Sequence, residues 1–473
     1  MSFNSLEYLF FLPIVFLLYW FVFKQLKIQN LLIVVASYIF YGWWDWRFLI
    51  LIAFTSLCSY LTGIQIGKQR ETGGGGKFYA TLNIIINLLI LGIFKYFNFF
   101  VETFADALGS IGVHTDYTSI KIILPVGISF YTFQALSYTI DVYRKKIGAT
   151  RDIVAFFAYI SFFPQLVAGP IERATNLLPQ MQNIRTFNYE MAVDGIEQIV
   201  WGLFKKMVVA DYCAMVVNDV WADYSSQNTI TLITGAVFFA FQIYGDFSGY
   251  SDIAIGSAKL FGIRLMRNFK LPYFSLSIPD FWKRWHISLN TWFVDYLYIP
   301  LGGSRCAKWK WFRNTMTIFL VSGLWHGANW TFVCWGAYHA LLFLPYMIAG
   351  KTKIDGSHDN ITLKKVACML ITFVLVVIGW IIFRSESITE AISYITSILT
   401  NAGVNSTVYV TLLSYRWIVL LLLIEWFTHN YEQPLRVIHN IKYPVVRYAM
   451  YASATLFVLF CASSSQGFIY FQF

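Results

Sequence analysis

Two histidines stand in stretches so apolar that an ionisable side chain there needs a chemical reason. His326 lies about halfway along residues 315–340, whose apolar and aromatic composition predicts one membrane-spanning helix. A charged residue at that depth costs about 2.5–3.5 kcal/mol on insertion scales. Spacings of three and four place Ser322, His326 and either Asn329 or Trp330 on one helical face. This polar face predicts a reactive imidazole, and a structural histidine bonded to a neighbour is the alternative.

The same predicted helix carries two further features. Gly323 and Gly327 lie four positions apart beside the polar face and would allow another helix backbone to approach closely. His339 follows thirteen residues after His326, which corresponds to about 20 Å along a continuous helix. We therefore expect His339 to lie outside the site of His326.

The second apolar histidine, His286, belongs to the stretch SIPDFWKRWHISLNTWF (277–293). Ser277, followed by a proline and then an aspartate, predicts a helix start. On that helix His286 and Asn290 lie one turn apart and share a face. Lys283 and Arg284 are expected near the cytoplasmic surface, where they contact either the phosphate groups of a ligand or lipid headgroups.

A third polar stretch, QIYGDFSGYSD (242–252), lies in an apolar context. Asp246 has Gln242 and Tyr250 one helical turn away on either side, whereas Asp252 points elsewhere. We expect these carboxylates to hold helices together rather than to react.

Two imidazoles in membrane-embedded segments, with cations near the inner face, suit acyl transfer from a cytoplasmic thioester. A neutral imidazole takes the proton from an acceptor hydroxyl as the oxygen attacks the carbonyl, and a second polar group stabilises the developing oxyanion. A catalytic metal would need three protein ligands or more. Only the two histidines can be placed together from the sequence, so we predict no metal site.

The composition predicts the scaffold that must position these residues. Of 473 residues, 58% are hydrophobic and 13% are charged, and apolar stretches of roughly 18 or more residues recur from end to end. The net charge of +10 comes from Lys and Arg clustered in short loops between spans, as the positive-inside rule requires. The excess of positive charge therefore determines the membrane topology, with both termini outside the cytoplasm. We expect a lipid bilayer rather than nucleic acid as the partner.

The pattern changes along the chain and divides it into three parts. Regular spans fill residues 1–150 and 347–473, whereas prolines and glycines break the apolar segments of the middle part, 151–346. Non-helical backbone at membrane depth is tolerated only where protein buries it or where it lines a cavity. We expect the middle part to form re-entrant and interfacial helices around a cavity.

Five ordered motifs support this interpretation: FPQLVAGPI (163–171), DFSGYSD (246–252), FWKRWHISL (281–289), DYLYIPLGG (295–303) and SGLWHGANW (322–330). Together they resemble the membrane-bound O-acyltransferase (MBOAT) superfamily, and most of all its bacterial alginate and peptidoglycan O-acetyltransferase branch. The resemblance implies an all-α polytopic fold with about 10–12 spanning or re-entrant helices around a central tunnel. It also implies a location in the bacterial inner membrane.

By this resemblance His326 is the catalytic histidine and His286 the second active-site residue, which orients or polarises the thioester. The donor is acetyl-CoA, used as a substrate without a permanently bound cofactor. The acceptor lies outside the cytoplasm, as a separate partner protein or a polysaccharide hydroxyl. Substrate contacts are expected from Lys283, Arg284, Trp285, Asn290, Ser322, Trp325 and Asn329, with Gln242, Asp246, Tyr250 and Asp252 in support.

Two positions depart from the pattern of similar proteins. Asn290 stands where serine is usual and Val294 where arginine is usual, and both follow His286 at four-residue intervals. The difference bears on how the donor phosphates are recognised and on which acyl group fits.

Two other functions are compatible with the sequence. A D-alanyl transferase would take its acyl group from a carrier-protein thioester, as a sister branch does. A transporter or channel would use the intramembrane His and Asp residues as a path, but it would show broken helices in two matching halves.

Overall fold

The computed structural model describes residues 1–113, 122–167, 169–349 and 362–469 of the chain. Throughout these ranges the regular secondary structure is helical, as the composition predicts. The chain forms two compact units, Met1–Gly195 with Ser257–Met266, and Ile196–Gly256 with the described residues from Arg267 onward. The boundaries of these units differ from those of the three parts expected from the sequence. The three parts stay a prediction.

The first nine helices belong to the N-terminal unit. They are α1 (Leu6–Leu17), α2 (Leu26–Asp45), α3 (Leu49–Glu71), α4 (Lys77–Leu91), α5 (Phe97–Ser110), α6 (Ile128–Tyr143), α7 (Ile153–Ser161), α8 (Phe163–Leu166) and α9 (Ala174–Gln182).

The remaining helices follow in chain order. They are α10 (Tyr189–Leu203), α11 (Asp211–Ala222), α12 (Thr229–Leu260), α13 (Ile278–Arg284), α14 (Ile287–Phe293), α15 (Lys308–His326), α16 (Trp330–Leu342), α17 (Leu344–Ile348), α18 (Leu363–Arg384), α19 (Ile388–Thr400), α20 (Arg416–Phe427), α21 (Arg436–His439) and α22 (Pro444–Cys461). Short π-helical turns cover Leu18–Val22, Gly92–Tyr96, Phe204–Ala210 and Val294–Tyr298, and 3-10 turns cover Trp46–Phe48, Tyr224–Ser226, Pro272–Phe274 and Leu412–Tyr415.

Within the described residues, six helical segments are long and apolar enough to cross a membrane, which confirms a multi-pass membrane protein. They are Leu26–Glu71, Lys77–Ser110, Thr229–Leu260, Trp330–Ile348, Leu363–Arg384 and Pro444–Cys461, and Leu6–Val22 is a shorter apolar helix.

Polar side chains join α3, α4 and α6 in the first unit. The Asn83 amide donates to the Ser59 hydroxyl (3.1 Å) and accepts from the Thr139 hydroxyl (2.8 Å). Beside this contact α3 has a glycine, Gly63, where a Cβ would lie 2.7 Å from the ring of Tyr138. Small residues and interhelical hydrogen bonds are the usual means of joining helices in lipid, so this seam has a structural role.

In the second unit Asp246 is buried in an ion cluster. Its carboxylate lies 2.7 Å from the ammonium group of Lys206, which also contacts Asp211 at 2.8 Å. The backbone N–H of Ile469 donates to the same Asp246 carboxylate at 2.7 Å. Buried charges need such partners, because removing one of them leaves an uncompensated charge.

These contacts differ from the neighbours that the sequence predicted for Asp246. Tyr250 instead stacks on Phe468, with ring centroids 4.2 Å apart. The side-chain oxygen of Gln242 is buried without a hydrogen-bond partner among the residues that the structure describes. The prediction missed Lys206 because that residue lies on another segment, at a separation that helical spacing does not reveal.

Asp252, near the C-terminal end of α12, makes a second set of polar contacts. It accepts hydrogen bonds from Lys205 (2.5 Å) and from the side-chain amide of Gln198 (2.8 Å). Asp246 and Asp252 therefore each connect α12 to the segment that contains α10 and the π-helical turn after it.

Candidate active site

The segment that carries His326 folds back on itself. The single helix expected over residues 315–340 is wrong, because α15 ends at His326 and α16 begins at Trp330. Gly327 and Asn329 are extended, and the side chain of Asn329 caps α16 by accepting from the Thr331 N–H at 3.0 Å. An apolar pattern alone does not distinguish a continuous helix from two helices joined by a tight turn.

Glycines allow the backbones of α15 and α16 to touch. A Cβ on Gly323 would overlap the carbonyl oxygen of Phe332, and one on Gly336 would overlap that of Phe319. The predicted close approach at Gly323 is confirmed, and the partner is α16. A Cβ on Gly327 would overlap the ring of Phe332, so the turn itself also needs a residue without a side chain.

His326 is the last residue of α15 and is only 5% exposed. Its Nδ1 lies 2.6 Å from the backbone carbonyl oxygen of Ser322. Because a carbonyl can only accept, Nδ1 carries the proton and Nε2 is the basic nitrogen. The rings of Trp325 and Trp335 each lie 5.0 Å from the imidazole, between centroids. The helix end and these rings together fix the orientation of the imidazole.

His339 lies closer to His326 than the sequence predicted. The ring of Trp335 contacts both imidazoles, at 5.0 Å from His326 and 5.1 Å from His339. The expected separation of about 20 Å assumed a continuous helix, whereas α16 runs back alongside α15. His339 accepts a hydrogen bond at Nδ1 from the indole N–H of Trp282 at 3.4 Å.

His286 lies at a break between two short helices. Ser277 caps α13 as predicted, since its hydroxyl accepts from the Asp280 N–H at 3.2 Å. The expected continuous helix is wrong, however, because α13 ends at Arg284 and α14 begins at Ile287. His286 has φ 44° and ψ 54°, a left-handed conformation that costs a non-glycine residue about 1–2 kcal/mol.

Both histidines line one cavity of about 430 Å³. Along α15 its wall includes Trp311, Thr315, Ser322 and His326, a span of about 22 Å at the helical rise. The opposite wall comes from α13, α14 and the turn after them, and includes Trp282, Lys283, Trp285, His286, Asn290 and Val294. The cavity is therefore elongated, and the imidazoles of two separate segments meet in it.

The predicted substrate contacts divide into two groups. Lys283, Trp285, Asn290 and Ser322 line the cavity with the two histidines. Asn290 does so while its side-chain amide donates to the carbonyl oxygen of Trp282, the residue one turn before His286. This bond joins α14 to α13 across the break between them.

Arg284, Trp325 and Asn329 lie elsewhere. Arg284 is buried and donates to the Asp280 carboxylate at 2.9 Å. Asn329 caps α16 and donates to the backbone oxygen of Glu386 at 2.9 Å. Trp325 lies behind the site, with its ring 5.7 Å from that of His286 and 5.0 Å from that of His326.

The surroundings of His286 favour its neutral form. The side chain is 1% exposed, and burial away from water lowers its pKa well below the ordinary value for histidine. The nearby imidazole of His326 lowers the pKa of His286 further. His286 is therefore neutral before the reaction begins.

Several contributors to the site were not predicted as site residues from the sequence. Tyr298 and Trp311 line the cavity, and Asn268 places its side-chain oxygen 3.3 Å from Nδ1 of His286. An isolated asparagine between two apolar segments has no diagnostic spacing. Among the described residues there is no group of three or more His, Cys, Asp or Glu side chains that could hold a metal ion.

Comparison with known proteins identifies the family of this chain. The profile of MBOAT, the membrane-bound O-acyltransferase family, matches residues 144–352, which include both histidines. The chain is 41% identical to the probable alginate O-acetylase AlgI of Azotobacter vinelandii, over 83% of this chain and 76% of that protein. It belongs to the membrane-bound O-acyltransferase family. The resemblance inferred from the five motifs is thereby confirmed, and so are the all-α polytopic fold class and the enzyme class.

Other members of the family are similar to this chain to different degrees. The peptidoglycan O-acetyltransferase of Helicobacter pylori is 32% identical over 85% of this chain and 80% of its own length. The teichoic acid D-alanyltransferase of Bacillus subtilis is 27% identical over 55% of this chain and 69% of its own length. The O-acetylating members thus match a longer part of this membrane-bound O-acyltransferase.

Proposed function

We propose that this membrane-bound O-acyltransferase moves an acetyl group from cytoplasmic acetyl-CoA through the membrane to a hydroxyl group outside the cytoplasm. The observation that carries the proposal is the meeting of His286 and His326 in one elongated cavity. The alginate and peptidoglycan O-acetylating relatives support acetyl as the acyl group and a polysaccharide as the final acceptor.

In this reaction His326 is the general base. Its Nε2 takes the proton from the acceptor hydroxyl while the oxygen forms a bond to the thioester carbonyl carbon. The carbon–sulfur bond then breaks, and the proton passes to the sulfur of coenzyme A. The products are an acetate ester and the free thiol, so neither an oxidant nor a bound cofactor is needed.

The donor reaches the histidines from the end of the cavity that lies near the start of α15. Tyr298, Ser304 and Trp311 line that end, and the exposed cations Arg305 and Lys308 lie between them in sequence. Cations beside an apolar channel suit a donor with phosphate groups and a long thin arm. Lys283, exposed and on the cavity wall, is a further phosphate contact.

Arg284 is a weaker candidate for a donor contact than Lys283. Its guanidinium group is buried and occupied by Asp280, so binding a phosphate would require breaking an ion pair. Lys283 and the exposed cations around the start of α15 therefore bind the donor phosphates, and Arg284 fixes α13.

The acceptor approaches from the side of the turn between α15 and α16. This orientation follows the positive-inside rule, with the cation-rich start of α15 in the cytoplasm. We place the protein in the bacterial inner membrane with both termini outside the cytoplasm. A separate extracytoplasmic protein would receive the acetyl group or present the polysaccharide hydroxyl.

Purified protein in lipid nanodiscs, incubated with labelled acetyl-CoA and an added polysaccharide, tests the reaction. Labelled ester is expected with the wild type, whereas His326→Ala is expected to lower the rate by about 10²–10⁴-fold. His429→Ala is the matched control, because His429 is exposed and bonded to the backbone of Trp426. Full activity of a folded His326→Ala protein would overturn the assignment.

The same assay separates the alternatives. A D-alanyl transferase would be inactive with acetyl-CoA and active with a D-alanyl carrier protein. A transporter would move solute into proteoliposomes without any acyl donor. The lower identity and shorter matched segment of the D-alanyltransferase favour acetyl-CoA as the donor.

A further inference from the structure

Asn268 is a fully buried side chain that touches His286 from behind the cavity. Its oxygen Oδ1 accepts from the backbone N–H of Ser288 (3.2 Å) and from the Ser288 hydroxyl (2.6 Å). The same oxygen lies 3.3 Å from Nδ1 of His286. On its other side, the amide nitrogen of Asn268 donates to the hydroxyl of Ser251 on α12 at 2.9 Å. The carboxamide thus bridges α12 and the residues around His286.

The backbone around Asn268 supports the break at His286. The Ile287 N–H donates to the carbonyl oxygen of Asn268 (2.9 Å), and the Lys270 N–H donates to that of Arg284 (2.9 Å). These two bonds flank His286 and hold it in its left-handed conformation. A residue in such a conformation persists only where its surroundings fix it.

The hydrogen bonds also determine which way the carboxamide faces. A backbone N–H can only donate, so the atom of Asn268 that faces Ser288 is its oxygen. The nitrogen of His286 nearest to this oxygen must then be the donor. His286 therefore carries its proton on Nδ1, and the lone pair is on Nε2.

The surroundings of Nε2 agree with this tautomer. It is buried and has no hydrogen-bond partner among the residues that the structure describes, and His286 lines the cavity. The rings packed on the imidazole are those of Phe247, Phe269 and Trp325, none of which carries a charge. The titratable group that acts on His286 is His326, whose effect opposes a second proton.

We propose that Asn268 is a positioning residue that fixes the Nδ1–H tautomer of His286, so that Nε2 accepts a hydrogen bond from substrate. This rests on the proposed acyl transfer and changes one role within it. The resemblance implied that His286 orients or polarises the thioester. With its proton on Nδ1, which faces Asn268, the imidazole has no proton on Nε2 to donate to the thioester oxygen. Its Nε2 instead accepts a hydrogen bond from the substrate, whereas the proton of the acceptor hydroxyl goes to His326.

Nitrogen-15 spectra of histidine-labelled protein in nanodiscs test the tautomer without any activity. The signals of His286 are assigned by their loss in His286→Gln. We expect a protonated Nδ1 and an unprotonated Nε2 in the wild type. Asn268→Asp keeps an acceptor oxygen and should keep this tautomer, whereas Asn268→Ala should move the proton to Nε2 in part of the molecules.

Ser251→Ala is the matched control for a purely structural effect. It removes the bond on the far side of the Asn268 carboxamide and leaves the oxygen that faces His286, so the tautomer should stay unchanged. An Nε2–H tautomer in the wild type, or an unchanged His286 spectrum in a folded Asn268→Ala protein, would overturn the proposal.

Kinetics give a second, independent measurement. Asn268→Ala should lower the kcat of acetyl transfer by about ten- to a hundredfold with little change in the KM for the donor, and Asn268→Asp should restore part of the loss. Equal losses in both Asn268 variants with an unchanged tautomer would assign the residue a structural role. If the wild type transfers no acyl group, the proposed function fails, and the spectra still decide the role of Asn268.

Discussion

The two histidines of the cavity are held by different parts of the protein. His326 ends a helix, and its Nδ1 is fixed by the backbone carbonyl of Ser322. His286 occupies a strained break between two helices, and its Nδ1 faces the side chain of Asn268. A backbone carbonyl survives any substitution, whereas a carboxamide does not. The position of His326 therefore depends on helix packing. That of His286 depends on a side chain from another part of the sequence.

The largest effect is expected where packing alone holds the site. Gly323→Val would place atoms against the carbonyl oxygen of Phe332 and should separate α15 from α16, because overpacking costs about 1–3 kcal/mol or more. We expect little folded protein in size-exclusion chromatography and a lower midpoint of thermal unfolding.

Gly403→Ala is the control for the packing prediction. No atom lies within 4 Å of a Cβ built on Gly403, so this variant should match the wild type. A Gly323→Val protein that is as stable as the control would show that close contact between the two helices is not what holds His326.

A smaller effect is expected from the strained backbone at His286. Substitution by either glycine or alanine removes the imidazole, but only glycine accepts φ 44° without strain. His286→Gly should therefore be more stable than His286→Ala by about 1 kcal/mol. Thermal or denaturant unfolding of the two variants measures the difference, and a more stable alanine variant would contradict the strained geometry.

Asn290 tests the shape of the wall that links the two breaks. Its amide bonds the carbonyl of Trp282 and its side chain lines the cavity. Asn290→Ser is smaller and should admit a longer acyl group, so the ratio of propionyl to acetyl transfer should rise by about tenfold, the low end of the range for one methylene in a pocket. Competition between the two labelled donors measures this ratio, and a ratio that stays the same would remove Asn290 from the acyl-binding wall.

The smallest effect is expected at Ser322. Ser322→Ala keeps the backbone carbonyl that fixes His326, so acetyl transfer should stay within about twofold of the wild type, the low end of the range for one neutral hydrogen bond. A loss as large as that expected for Asn268→Ala would mean that the Ser322 hydroxyl itself acts in the reaction, and the contrast between the two histidines would weaken.

The sequence predicted the parts of this site that have an unusual residue type or a recognisable motif. Histidines in apolar stretches indicated His286 and His326, and the ordered motifs indicated the family. The breaks at His286 and Gly327 were missed because apolar periodicity continues across both. A positive φ at a histidine has no sequence signal.

Contacts between residues that are far apart in sequence were also not predicted. Lys206 pairs with Asp246, and Asn268 meets His286, although nothing in their local sequence connects them. Helical spacing relates residues within a helix, whereas these pairs depend on how separate segments pack. The predicted substrate contacts at Arg284 and Asn329 failed to reach the cavity for the same reason, because each found a nearby partner.

The ester-linked acetyl content of cell-envelope polysaccharide most directly tests whether the histidine cavity performs acetyl transfer. It can be measured by mass spectrometry in cells that lack the native gene and express either the wild type or His326→Ala at equal membrane abundance. Acetyl content is expected to recover with the wild type and to stay at the background of the deletion strain with His326→Ala. Equal recovery with both proteins would contradict this expectation.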